Sequence, residues 1–299
     1  MEIRGKKALV TGAASGIGRA TALAMAERGA RLFITDIDSQ GLEETRREIE
    51  ARGGEVCLCR PLDVSDYEAM RNLAEEIHAG FGPLDILANI AGVALFSQVE
   101  DMTHEQWRRV VDVNLWGPYH AIECFVPEMV RAGRGGHVLT VSSTAGIIGL
   151  PWHVVYAGTK HALVGSSEVL RYDLRKHGIG VSVILPGAVN TGLVRTTVIN
   201  ADEDACDRGR RIFARHAIPP ERVARFIVDA IEKNRFMVIT NPDIKLLYFL
   251  KRFFPPAYEL IMRAMTWFVD HTLTRKTMCQ PSHPYSSSTK HKDHGLSHI

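Results

Sequence analysis

The feature that most restricts the fold is an alternation sustained over the first two-thirds of the chain, in which short apolar runs take turns with longer amphipathic stretches. Short apolar runs bounded by polar segments read as buried strands, and the stretches between them carry a helical period. The predicted strands are Ala8 to Thr11, Arg31 to Asp36, Val56 to Pro61, Asp85 to Asn89, His137 to Val141, Val181 to Leu185 and Phe236 to Thr240. Between two of them, Met70, Leu73, Ala74, Ile77 and Phe81 share one helical face, while Glu43 stands four residues before Arg47 on an exposed one. Strands joined through helices must run parallel, because a tight hairpin cannot connect them. The expected class is therefore α/β, a doubly wound seven-stranded parallel sheet with helices on both faces.

Composition excludes the alternatives. At 299 residues, with 45% hydrophobic and 23% charged content, the chain is too apolar to be disordered and too mixed to span membranes throughout. Its 36 basic residues against 34 acidic ones give a net charge of +2 and no general attraction to nucleic acid or anionic lipid. Cys57, Cys59, Cys124, Cys206 and Cys279 contain no CxxC pair, which argues against a disulfide framework or a zinc site and for a reducing, cytoplasmic compartment. Charges at Glu2, Arg4, Lys6 and Lys7 lead straight into the first apolar run, so the N-terminus is expected to belong to the fold.

Residues 1–241 form the predicted main domain, interrupted by a long polar stretch at 190–218 that reads as a lid or binding loop. Residues 242–280 form a predicted apolar helical extension, broken by Pro255-Pro256 into two runs each too short to cross a bilayer. Such a surface must cover its own domain, a partner subunit, a substrate cleft or a membrane face, the last with Lys245, Lys251, Arg252 and Arg263 as candidate contacts. Residues 281–299 read as a disordered tail whose scattered histidines have no metal-ligand spacing, and no metal site is expected.

Thr11-Gly12-Ala13-Ala14-Ser15-Gly16-Ile17-Gly18 follows the first strand and opens a helix. Glycines there let the backbone turn sharply and approach a pyrophosphate, which the free N–H groups and dipole of the helix start stabilise. A tight strand-to-helix turn is the plainer alternative. Asp36, at the end of the second strand, narrows the choice. A carboxylate there can accept from both adenosine ribose hydroxyls and would repel a 2′-phosphate, favouring NAD over NADP. Neither Ser15 nor Ile37 supplies the cation that a 2′-phosphate would want, although Asp36 could also serve only as a turn residue.

Tyr156 and Lys160 stand four apart on a predicted helix, so their side chains share a face. A neighbouring ammonium, joined by a nicotinamide cation, would favour the phenolate and make the tyrosine a usable proton acceptor. By itself such a pair is common. Thirteen residues earlier, Ser142-Ser143 ends a strand where a hydroxyl would face the crevice.

With these residues in this order, the sequence resembles the short-chain dehydrogenase/reductase family over roughly residues 4–240. The resemblance rests on the glycine-rich turn, Asp63-Val64, Asn89-Ile90-Ala91-Gly92, Asn114, Ser143, Tyr156 with Lys160, and Pro186-Gly187-Ala188-Val189-Asn190-Thr191. The family often has a further asparagine where Ala88 stands. The resemblance implies a Rossmann-like fold and hydride transfer between nicotinamide and a carbinol or carbonyl carbon. Tyr156 would move the proton, Ser143 would hold the substrate oxygen, and Lys160 would bind the nicotinamide ribose and lower the tyrosine pKa. Asn114 would hold a water extending the proton path. Asp63 and Val64 would meet adenine, Asn89 the adenosine side, and Val189 and Thr191 the carboxamide. Gly12, Ser15, Gly16, Ile17, Gly18, Asp36, Ala91, Gly92, Pro186 and Gly187 complete the expected cofactor set. The family also implies a homo-oligomer paired through the helices bearing Asn114 and Tyr156, where Gly165 and Ser166 permit close approach.

Val93, Leu95, Ile147, Leu150, Leu193 and Val194 lie in or beside loops expected to line the substrate cleft, and none carries a charge. With Ser143 and Tyr156 they point to a lipophilic alcohol or ketone. His153 is read as a wall residue. A carbonyl reductase acting on acyl thioesters or sugars, and a nucleotide-binding scaffold without chemistry, are the rival functions.

Overall fold

The computed structural model describes residues 1–191, 198–199, 207–208, 211 and 217–273. Leu193, Val194, most of the 190–218 stretch and the 281–299 tail lie outside the described residues. The strands are β1 (Lys7–Thr11), β2 (Arg31–Asp36), β3 (Glu55–Pro61), β4 (Ile86–Asn89), β5 (Leu95–Phe96), β6 (Gly136–Val141), β7 (Ile179–Leu185), β8 (Val198–Ile199) and β9 (Met237–Ile239). Seven of them form one parallel sheet in the order β3-β2-β1-β4-β6-β7-β9. The order reverses between β1 and β4, which opens a crevice at their carboxyl ends. The predicted strands agree with this sheet to within a residue or two. The separate pairing of β5 with β8 was not anticipated, because two-residue strands are too short to show a period.

Helices α1 (Gly16–Glu27), α2 (Ser39–Ala51), α3 (Tyr67–Phe81), α4 (His104–Val111), α5 (Gly117–Ala132), α6 (Val154–Arg175) and α7 (Pro220–Lys233) surround the sheet. Successive strand residues point to opposite faces, so Val10, Ile34 and Ile184 pack with Met25, Leu42 and Ile227 on one side. Leu9, Phe33 and Leu87 pack with Met70, Ile77 and Phe125 on the other. Between α4 and α5 the chain makes a π turn over Asp112–Trp116, with Asn114 inside it.

The extension folds as α8 (Pro242–Phe253) and α9 (Pro255–Leu273), each starting at a proline that preorganises the first turn. Tyr258, Met262 and Met265 on α9 pack with Ile147, Ile148, Val183 and Leu185. Leu246, Phe249, Phe253, Leu260, Trp267 and Phe268 remain exposed. Among the described residues, no helix is long and apolar enough to cross a membrane.

Candidate active site

Thr11 fastens the floor of the crevice. Its hydroxyl oxygen accepts from the Ile90 and Ala91 N–H groups at 2.9 and 3.1 Å, binding the end of β1 to the end of β4. Gly12 has a φ of 73°, and a Cβ there would stand 2.8 Å from the Ala91 Cα, so this approach requires glycine. At Gly18 a Cβ would fall 1.9 Å from the Gly12 carbonyl oxygen, which holds the helix against the turn. Ser15 caps α1 with no side-chain hydrogen bond and no acidic residue follows in the first turn, so the Gly16, Ile17 and Gly18 amides face the crevice without a side-chain cap. Thr191 packs over Gly16 from the opposite wall.

Asp36 Oδ2 accepts from the Ala14 N–H at 3.0 Å and Oδ1 from the Asp38 N–H at 3.0 Å. The carboxylate is thus held beside the glycine turn, with further lone pairs for a ligand. Asn89 is buried, and neither polar atom of its amide has a partner. Buried orphan amides are costly unless a ligand pairs them. An uncapped helix start, an anchored carboxylate and this amide together fit an adenine dinucleotide.

The other expected cofactor residues occupy the same rim. Asp63 Oδ1 accepts from the Ser65 N–H and hydroxyl at 2.9 and 2.7 Å, a local turn that engages one oxygen. Val64 is buried against Gly117. The Pro186 carbonyl accepts from the Thr144 N–H at 2.9 Å, and the Gly187 N–H donates to Asn241 at 3.2 Å. Val189 is buried and bridges to Ile218.

At the reaction end, Lys160 Nζ donates to the Val141 carbonyl at 3.1 Å and lies 5.7 Å from the centroid of the Tyr156 ring. The Ser143 side chain stands beside the Tyr156 phenol and favours its charged form, while its hydroxyl oxygen accepts from the Ala145 N–H at 3.1 Å. Ser142 turns the other way, donating to the Lys160 carbonyl at 2.8 Å and tying β6 to α6. Gly92 lies against both the Asn114 amide and the Lys160 ammonium, at 3.0 and 3.5 Å from where its Cβ would be. Asn114 is fully buried, and its amide is taken up by the Val93 backbone: Oδ1 accepts from the N–H and Nδ2 donates to the carbonyl, both at 2.8 Å. Pro118, four residues on, has no N–H to offer the Asn114 carbonyl, so a water held here would meet the backbone oxygen rather than the side chain.

Burial pushes the Tyr156 phenol up, and the Ser143 side chain opposes it. The Lys160 ammonium over the ring is the nearby positive charge that would favour the phenolate. Lys160 itself is brought down to about 8 by burial.

On the substrate side, Leu95 is buried with Val110 and Val155, and Val93 and Tyr156 pack against them. Leu150 lines a cavity of about 500 Å³ together with Ser97, Gln98, Trp152, His153 and Asp270. His153 lies edge-on to Phe96 at 3.8 Å between centroids, and burial lowers its pKa to about 4. A neutral imidazole at working pH suits a wall. The sequence reading missed the π turn, which the Asn114-to-Pro118 spacing could have signalled, and the part played by Trp152 and Asp270, which nothing local announces.

The short chain dehydrogenase family profile matches residues 6–202. The chain belongs to this family. Among its relatives is a probable oxidoreductase, EphD, of Mycobacterium tuberculosis, 40% identical over 262 residues that cover 85% of this chain and 44% of that protein. The chain therefore spans less than half the length of that relative. The putative oxidoreductase SadH of the same species is 32% identical over 263 residues, covering 87% of this chain and 95% of SadH. The crystal structure of a short-chain dehydrogenase/reductase from Burkholderia phymatum in complex with NAD superposes with a TM-score of 0.79 at 29% identity, over 96% of this chain and 99% of that one.

Proposed function

We propose that this family member is an NAD-dependent oxidoreductase that moves a hydride between nicotinamide and a secondary alcohol or ketone of lipophilic kind, such as a steroid, retinoid or other lipid. The observation that carries the reading is the convergence of Ser143, Tyr156 and Lys160 at the carboxyl end of β6, beside the crevice that Asp36 and Asn89 border. The NAD complex of the Burkholderia relative and the anchored Asp36 carboxylate support NAD over NADP.

NAD, when bound, supplies a hydride-accepting carbon and a positive charge. Gly12, Ser15, Gly16, Ile17 and Gly18 hold the pyrophosphate, Asp36 the adenosine ribose, Asp63, Val64 and Asn89 the adenine end, and Ala91, Gly92, Pro186, Gly187, Val189 and Thr191 the nicotinamide end. Ser143 orients the substrate hydroxyl toward the Tyr156 oxygen, which takes its proton in oxidation or returns it in reduction. Lys160 holds the nicotinamide ribose, and the Asn114 carbonyl holds the water that continues the proton path. Val93 and Leu95, with His153 neutral, favour apolar substrates over sugars, while the cavity beside Leu150 also carries Gln98, Glu100 and Asp270.

The subunits pair through α5 and α6, a reading supported by the exposure of Trp116, Val169 and Tyr172. The exposed side of the extension allows contact with a membrane surface. Cytoplasmic residence is supported by the free thiols of Cys57, Cys59 and Cys124. The test is NADH formation by absorbance with a series of secondary alcohols and polyols. Turnover of apolar alcohols with NAD is the expected result, and activity confined to sugars or to NADP contradicts it.

A further inference from the structure

The extension returns to one segment of the main domain, residues 147–152, which bridges the chain between Ser143 and Tyr156. Three hydrogen bonds make the connection. Lys251 Nζ, near the end of α8, donates to the Ile147 carbonyl at 2.7 Å. The Tyr258 hydroxyl, near the start of α9, accepts from the Gly149 N–H at 3.2 Å. Asp270 Oδ1, near the end of α9, accepts from the Trp152 indole N–H at 2.9 Å.

The last of these falls on a strained residue. Trp152 has a φ of 63°, and among the described residues the other non-glycine with positive φ is Asn234, an asparagine in the left-handed cap of α7, where such residues are at home. A bulky side chain gains nothing locally from this conformation, so its surroundings must hold it there. They do so from two sides, since the Trp152 carbonyl accepts from the Ser97 N–H at 2.9 Å while the indole is held by Asp270. The next residue, His153, lies 5.9 Å from Tyr156 between ring centroids, and its carbonyl accepts the Ala157 N–H at 2.6 Å. The strained residue therefore sets where the helix bearing Tyr156 and Lys160 begins.

We propose that Asp270 is a positioning residue for the reaction: through Trp152 it fixes segment 147–152 on the substrate side of Tyr156, so the C-terminal hairpin helps decide which substrates fit. The cavity lined by Leu150, Trp152, His153 and Asp270 is the space this clamp shapes. Long apolar substrates that reach into it depend on the clamp, and short ones do not. The catalytic half of this inference rests on the function proposed above, so its test includes a measurement without turnover.

The full chain and its Asp270→Ala, Asp270→Asn, Trp152→Phe and Asp270→Ala/Trp152→Phe variants are compared by hydrogen exchange and by steady-state kinetics with NAD and 2-butanol through 2-decanol. Asp270→Ala and Trp152→Phe should each speed amide exchange across 147–153 by about tenfold or more. Each should lower kcat/KM for 2-decanol by about tenfold to a hundredfold, change it much less for 2-butanol, and leave NAD affinity by calorimetry unchanged. The double variant should be no worse than either single one, and Asp270→Asn, which keeps an acceptor oxygen, should restore both readouts. Unchanged exchange and substrate ranking in Asp270→Ala and Trp152→Phe overturn the proposal, as do additive losses or an equal loss for all alcohols. If Asp270→Ala does not fold, Trp152→Phe alone decides by the same criteria. If the native chain oxidises none of these alcohols, the proposed function fails, and the exchange measurement still settles the clamp.

Discussion

Lowering the pH from about 7.5 to about 5 should remove about 4 kcal/mol of folding stability, with two buried histidines responsible. His137 on β6 is 1% exposed, and its Nε2 lies 2.8 Å from the Ser182 hydroxyl. The Ser182 hydrogen is donated to the Arg235 carbonyl at 2.6 Å, so Ser182 accepts from Nε2–H and the free nitrogen is Nδ1. That nitrogen lies beside Gly180, 2.6 Å from the position of a Cβ there. In His153 the arrangement is reversed: Nδ1–H donates to the Pro151 carbonyl at 2.6 Å, leaving Nε2 free. Burial brings each imidazole from 6.5 down to about 4.

Because the folded pKa lies below the unfolded one, the unfolded chain binds more protons between pH 4 and 6.5. Stability is therefore full above this window, falls as the pH drops through it, and levels off below. At pH 5 an unfolded imidazole is almost wholly protonated and a folded one hardly at all, which costs about 2 kcal/mol per histidine. His78 is shifted down by burial too and acts in the same direction. Paired carboxylates such as Glu43, lowered to about 2, join only when the pH falls below their ordinary range near 4.5. Urea unfolding of the native chain, His137→Gln, His153→Gln and the double variant at both pH values measures this. Each single variant should lose about 2 kcal/mol less on acidification than the native chain, whatever its stability at pH 7.5. Variants that lose as much as the native chain would refute the assignment.

Three further outcomes are expected. Tyr156→Phe should cut turnover by about 10²–10⁴-fold while NAD still binds by calorimetry, and Ser143→Ala should lower turnover far more than Ser142→Ala; near-normal turnover in Tyr156→Phe, or a loss confined to Ser142→Ala, contradicts the site as drawn. Asp36→Ala should shift the ratio of kcat/KM values toward NADP, and an unchanged preference for NAD counts against the role of this carboxylate. Asn114→Ala deletes two hydrogen bonds to the Val93 backbone and should cost about 2–5 kcal/mol in urea unfolding; a loss below about 1 kcal/mol would show that the clamp is not needed.

Much of this was legible in the sequence, for reasons that differ by region. The sheet could be read because its central strands are buried on both faces, and runs such as Ala8-Leu9-Val10 must be apolar throughout. The reaction centre could be read because Tyr156 and Lys160 are fixed by helix spacing and Ser143 by a strand end. What was hidden depends on contacts between distant segments. The hydrogen bond from the Lys160 ammonium to the Val141 carbonyl is one such contact, and a spacing of four cannot disclose it. The left-handed Trp152 is held by residues 97 and 270; Pro151 marks a turn there, but a tryptophan in place of the usual Gly or Asn gives no sign of the positive φ.

The titratable groups around the reaction centre share a direction. Burial moves Tyr156 up, Lys160 down to about 8 and His153 down to about 4, so each is pushed toward its neutral form. The protein's own groups therefore present Tyr156 at neutral pH as a proton donor, the form that a ketone reduction requires. Alcohol oxidation needs the same oxygen as an acceptor, and the Ser143 side chain and the Lys160 ammonium over the ring favour it. A positive charge entering the crevice would stabilise the phenolate in this low-dielectric surrounding far more than it could in water. The burial that disfavours the phenolate in the protein alone thus makes its formation depend on what occupies the adjoining crevice. Under the proposed function this couples proton acceptance by Tyr156 to the presence of the oxidised cofactor.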